Sequence, residues 1–169
     1  MKNIKKSIIT LQIVRGAIIA ALYAGLTILL QPLSYGPLQF RVSEALTILP
    51  LFFIEAIPGL AVGCFVANAY MYGPIDMVIG SLATLLAAVL TRYSKKIWFG
   101  VIPPIVINAF VIPLILLMVG ENIGYWFTVL TILAGQAGAI IGIGVPLYYA
   151  LKPLIKKGIL KIPEYNKIK

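Results

Sequence analysis

Histidine is absent from this chain of 169 residues, cysteine occurs once, and only five carboxylates are present. Without histidine the commonest general base and the commonest metal ligand are missing. Ser/His and Cys/His nucleophilic pairs are excluded for the same reason. The lone Cys64 leaves no disulfide within the chain. No G-x-x-x-x-G-K-[ST] run occurs, so no nucleotide is held by a P-loop. Metal, cofactor and enzymatic chemistry are therefore not expected.

Charge is scarce as well. Only 11% of residues are Asp, Glu, Lys or Arg, and 61% are hydrophobic. Soluble domains run to about 25% and about 45–50%. A soluble core of this size has no room to hide so much apolar surface. Lipid is the expected solvent, and the apolar runs are long and do not alternate. Since backbone groups in hydrocarbon must pair internally, this pattern predicts an all-α membrane bundle and not a barrel.

Breakers and charges divide the chain into six helices, roughly residues 11–31, 43–57, 58–72, 74–92, 97–119 and 125–151. A basic tail, 152–169, follows. Lys2, Lys5 and Lys6 ahead of an apolar run resemble a signal-peptide start, but the run is long and lacks a clear cleavage pattern, so it reads as a retained span. Pro58 favours a break between the second and third helices. The net charge of +9 then sorts by side. With six crossings and both termini cytoplasmic, every basic residue except Arg41 falls inside. Five crossings would leave only Lys2, Lys5, Lys6 and Arg15 there. The positive-inside rule selects six. The positive charge thus sets topology and points to lipid, with no nucleic acid as partner. The second and third helices are shorter than the ~20 residues a span needs, as happens beside a cavity. No repeat relates the two halves, which disfavours an inverted-repeat carrier.

The same topology gathers Glu44, Asp76 and Glu121 at the outer helix ends with Arg41, Tyr35, Phe40, Tyr70, Tyr72, Tyr125 and Trp126. A mouth rich in carboxylates and aromatics suits a flat, cationic or donor-rich solute. Blander roles exist for several of these: an interfacial belt for Tyr35 and Tyr125, a surface pair for Arg41 and Glu44, a solvated loop for Glu121 and a first-turn charge for Asp76. Asn68, Asn108 and Gln136 lie within spans, where polar groups must face protein or water. Either interhelical hydrogen bonds or ligand contacts satisfy them. The first helix carries two small-residue series, Gly16-Ala20-Ala24 and Ala17-Ala21-Gly25, suited to close packing within the chain or to a membrane partner.

The run Gln39-Phe40-Arg41-Val42-Ser43-Glu44-Ala45-Leu46-Thr47-Ile48-Leu49-Pro50 resembles the signature of the QueT family of queuosine-precursor transporters. Ala56-Ile57-Pro58-Gly59-Leu60, Gly63-Cys64, Ala67-Asn68, Asp76, Gly80-Ser81-Leu82-Ala83-Thr84-Leu85, Pro103-Pro104, Asn108 and Pro146-Leu147 extend the likeness along the chain. The resemblance implies the six-helix fold of a substrate-binding (S) component of an energy-coupling factor (ECF) transporter. It implies a coupling subunit and two cytoplasmic ATPases as partners, met through Gly16, Ala17, Ala20, Ala21 and Ala24. It implies a 7-deazaguanine cargo, 7-aminomethyl-7-deazaguanine above all, with a vitamin-type cargo or a stand-alone ion-coupled carrier as alternatives. In that frame Glu44 takes the ring's N1–H and 2-amino donors in a fork. Arg41, Asn68 or Asn108 meets the ring carbonyl, and Asp76 and Gln136 meet the ammonium. Tyr70, Tyr72 or Phe40 stacks on the ring, and the loop from Gln31 to Arg41 closes over it. In one place the chain departs from the family pattern: Gly135-Gln136 stands where a Gly-Glu pair is usual, which weakens pairing with a cation there.

Overall fold

The structure is a computed structural model and describes residues 2–34, 39–71, 73–121 and 124–160. Tyr35, Tyr72, Glu164 and much of the basic tail lie outside the described residues, as does the middle of the proposed Gln31–Arg41 loop. In chain order the elements are α1 (Lys2–Leu29), α2 (Gln31–Ser34), a 3-10 helix (Val42–Leu51), α3 (Ala56–Met71), α4 (Pro74–Tyr93), α5 (Ile97–Gly100), α6 (Ile102–Met118), α7 (Tyr125–Ala139), a π-helical turn (Ile140–Gly144) and α8 (Val145–Lys156). No strand occurs among the described residues.

Among the described residues, four stretches are long and apolar enough to cross a bilayer: Ser7–Leu29, Pro74–Tyr93, Ile97–Met118 and Tyr125–Lys156. The 3-10 helix and α3 are the two shorter apolar segments. Polarity is inverted relative to a soluble protein. On α4, Ile75, Val78, Ile79, Leu82, Leu86 and Leu90 are exposed, whereas Asp76, Ser81, Thr84 and Thr91 are buried. Both sets recur at helical spacing, so one face meets lipid and the other meets protein. A multi-pass membrane protein follows.

The helices pack in sequence: α1 on α3, α3 on α4, α4 on α6 and α6 on α7. The 3-10 helix sits among them and touches α1, α3, α4, α7, the π turn and α8. Ser43, Glu44, Ala45, Thr47, Ile48, Leu49 and Pro50 are all buried. A helix with seven of its ten residues buried is held mainly by protein and is not bound by the length rule. Ten residues is long for a 3-10 helix. Pro50 contributes no N–H, and the Thr47 hydroxyl donates to the Glu44 carbonyl at 2.6 Å. The break after this segment falls at residues 52–55, ahead of the position expected from Pro58. Pro58 instead lies in the first turn of α3, where its missing N–H leaves no bond unmade. Other boundaries shift too: α1 begins at Lys2 and not near residue 11, the fifth segment is divided into α5 and α6, and the sixth runs on to Lys156.

Two close approaches depend on glycine. On α3, a Cβ at Gly59 would lie 2.7 Å from the Gly16 carbonyl oxygen, and one at Gly63 2.7 Å from that of Ala20. Small residues four apart on both helices thus bring their backbones together. At the π turn, a Cβ on Gly144 would lie 2.9 Å from the Ala45 carbonyl oxygen. The last helix and the 3-10 helix therefore meet backbone to backbone.

Candidate functional site

The polar residues of the spans converge on the 3-10 helix. Glu44 is fully buried near its start, and the Tyr23 hydroxyl of α1 donates to Glu44 Oε1 at 2.5 Å. One turn along α1, Thr27 donates to the Tyr23 carbonyl at 2.8 Å and meets the Ser43 hydroxyl at 2.6 Å. The Arg41 guanidinium acts electrostatically on both Glu44 and Asp76. From the far side the Asn108 side chain of α6 faces Glu44 and donates to Gln136 Oε1 of α7 at 3.4 Å. Between α3 and α4, Asn68 Nδ2 donates to the Asp76 carbonyl at 3.1 Å and to Cys64 Sγ at 3.4 Å. Thr84 also donates to Cys64 Sγ, at 3.3 Å.

Arg41, Glu44, Asn68, Asp76, Asn108 and Gln136 are each at most 6% exposed. Six of the seven expected binding residues are therefore buried polar groups on facing elements, and the seventh, Tyr72, lies outside the described residues. Asn68 turns to Cys64 and to the Asp76 carbonyl. Gly80, facing the same two residues, leaves room for them: a Cβ there would lie 2.7 Å from Asp76 Oδ1 and 2.8 Å from Asn68 Nδ2. Glu121 is exposed, and Tyr70 is 73% exposed. Phe40 is half-buried, with its ring 2.9 Å from where a Gly138 Cβ would stand.

Buried polar atoms normally have partners, and each exception calls for a reason. Among the described residues four stand without one: Ser34 Oγ, Gln39 Oε1, Glu44 Oε2 and Gln136 Nε2. Two are acceptors, one is a donor and one is a hydroxyl that can be either. Of these, Glu44 and Gln136 are linked through Asn108, so an acceptor and a donor are open to a solute at the same place. Gln39 also holds a positive φ of 43°, which is uncommon for a residue with a side chain.

Tyr23, Thr27, Ser34 and Gln39 did not emerge from the sequence as site residues. One signal for the first two was available: Tyr23 and Thr27 stand four apart in an otherwise apolar span, so they share a helix face. Replacing Tyr23 by Phe removes the donor from Glu44 Oε1 and leaves a second buried carboxyl oxygen unpartnered. Thermal unfolding in detergent is expected to show a loss of about 1–3 kcal/mol. A Tyr23→Phe protein melting at the wild-type temperature would show that this hydrogen bond contributes nothing.

Of the small residues on α1, Gly16 and Ala20 face α3 at Gly59 and Gly63, and Ala24 is buried. Ala17, Ala21 and Gly25 form the second series and are exposed.

A family model described as the QueT transporter matches residues 13–153. The chain belongs to the QueT transporter family. Among curated proteins, the queuosine precursor transporter QueT of Lactococcus lactis subsp. cremoris (strain MG1363) is 42% identical over 79 residues. That alignment covers 46% of this chain and 47% of the relative, about half of each. No solved structure matches.

Proposed function

We propose that this chain captures a queuosine precursor of the 7-deazaguanine class, above all 7-aminomethyl-7-deazaguanine, from outside a bacterial cell. It delivers the cargo across the cytoplasmic membrane as the substrate-binding S component of an ECF transporter. The observation that carries this reading is Glu44 Oε2, a carboxyl oxygen buried inside the bundle without a partner and surrounded by Arg41, Asn108 and Tyr23. The ring's N1–H and 2-amino group supply two adjacent donors that a carboxylate accepts together. Arg41 and Asn108 supply donors to the ring carbonyl. Asp76 and Gln39 supply acceptors to the exocyclic ammonium, and Gln136, whose Oε1 already accepts from Asn108, turns its unpartnered Nε2 to an acceptor on the ring.

Six crossings with both termini cytoplasmic place this cluster toward the outer side and thirteen of the fourteen basic residues inside. A coupling subunit docks on the exposed Ala17-Ala21-Gly25 series, beside Gly16, Ala20 and Ala24, which hold α3 against α1. Two cytoplasmic ATPases then drive the cycle. In this scheme the chain binds its cargo without nucleotide and transports only in the complex.

The experiment is a pair of assays on the full chain. Calorimetry on the purified protein should show saturable binding of 7-aminomethyl-7-deazaguanine in the absence of ATP. Vesicles holding this chain alone should show no uptake, and uptake should begin once the coupling subunit, ATPases and ATP are present. Uptake by the chain alone down an ion gradient would establish a stand-alone carrier in place of an S component. An absence of binding across a panel of deazapurines would rule out the cargo.

A further inference from the structure

Away from the buried cluster, a recess of about 750 Å³ opens at the end of the bundle where α4 stops. Its walls carry four cations, Arg92, Lys95, Lys96 and Lys152, and no carboxylate is among its lining residues. Phe52 and Tyr148 also line it, their rings stacked at 4.9 Å. Lys152 Nζ lies 5.6 Å from the centroid of the Tyr148 ring, so one cation is held over an aromatic face. Arg92 is fixed at the inner edge, donating to the Pro50 and Leu51 carbonyls at 3.1 and 3.3 Å. Four like charges around one concavity repel one another, and a bound anion relieves that repulsion.

The surroundings say what kind of anion. Tyr93, at the rim, is 81% exposed, and Trp98 and Phe99, just past the lining residue Ile97, are 56% and 61% exposed. Exposed aromatics at the end of membrane helices mark the headgroup level of the bilayer. A cationic recess at that depth, between helices, faces lipid phosphates. Its volume lies within the range of small-molecule sites.

We propose that this recess binds the headgroup of an anionic phospholipid, whose phosphate is met by Lys95, Lys96 and Lys152 beside Arg92. The lipid would bridge the ends of α4 and α8 and the carbonyl end of the 3-10 helix, on which Glu44 is carried. The site is independent of the cargo, so its test does not depend on which solute the chain transports.

The test uses the full chain, delipidated in detergent and titrated with short-chain phosphatidylglycerol, phosphatidylcholine or inorganic phosphate. Near saturation phosphatidylglycerol is expected to raise Tm by about 5 °C over phosphatidylcholine. In the triple variant K95Q/K96Q/K152Q that difference should vanish, each protein's own Tm in phosphatidylcholine serving as its baseline. The variant K156Q/K157Q, altered beyond the recess, should keep the whole response. Native mass spectrometry of the wild-type protein should retain phosphatidylglycerol in preference to phosphatidylcholine, a readout that requires no variant to fold. Three results would overturn the site: an undiminished response in the triple variant, an equal loss in K156Q/K157Q, or equal retention of the two lipids. An equal Tm shift from inorganic phosphate would overturn the lipid as occupant and leave a free-anion site.

Discussion

Replacing Glu44 by Gln is expected to weaken binding of 7-aminomethyl-7-deazaguanine more than tenfold, or by more than about 1.4 kcal/mol. The substitution keeps the size of the side chain but turns one carboxyl oxygen into an N–H₂ group, a donor facing the donors of the ring. It also removes the charge that strengthens a fork of hydrogen bonds. Calorimetry on wild type and variant, both without ATP, gives the ratio directly. Tyr23 can still donate to the remaining oxygen, so the fold should survive and melting temperatures should stay close. Retained affinity in a folded Glu44→Gln protein would remove Glu44 from the site.

The second large effect is expected at Gly63. Its Cβ position lies 2.7 Å from the Ala20 carbonyl oxygen and 2.8 Å from Tyr23 Cβ, and α1 backbone cannot yield there without moving the helix. Gly63→Val should therefore cost about 1–3 kcal/mol in stability through overpacking. Because Tyr23 rides on the displaced stretch of α1 and holds Glu44 Oε1, ligand affinity should fall along with it. Gly25→Ala provides the contrast. Nothing stands within 4 Å of the added methyl at Gly25, and Ala in a helix is better than Gly by about 1 kcal/mol. Melting curves of the two variants should move in opposite directions. A Gly63→Val protein with wild-type stability and affinity would show that the close approach of α1 and α3 does not position the site.

How far the sequence carries can be read from individual residues. The helical segments were legible because prolines, glycines and clustered cations interrupt otherwise continuous apolar runs. The buried side chains were legible too, because an Asn, Gln or Glu within an apolar span has few places to go except toward other polar groups. Glu44, Asn68, Asn108 and Gln136 all follow that logic. The 3-10 geometry around Glu44 was not legible, since it follows from enclosure by the surrounding helices and not from local propensity. Nor was the break at residues 52–55, because a proline near a boundary fits equally well before a helix or within its first turn, and at Pro58 the second holds. The small residues on α1 presented a choice between internal packing and a partner. Gly59 and Gly63, spaced four apart on α3, supply the matching surface for Gly16 and Ala20. That spacing was present in the sequence but has no meaning until the two helices are paired. Tyr23 was missed for a related reason. A tyrosine in a span reads as bulk until its hydroxyl is seen to reach a carboxyl twenty-one residues further along.

The most direct measurement is an experimental structure of the full chain with 7-aminomethyl-7-deazaguanine bound. The predicted result is a ring lying among α1, the 3-10 helix, α6 and α7, its N1–H and 2-amino edge on Glu44 and its other polar atoms taking up Gln136 Nε2 and Gln39 Oε1. A ligand bound elsewhere, with Glu44 Oε2 still unpartnered, would contradict the assignment of this buried cluster as the cargo site.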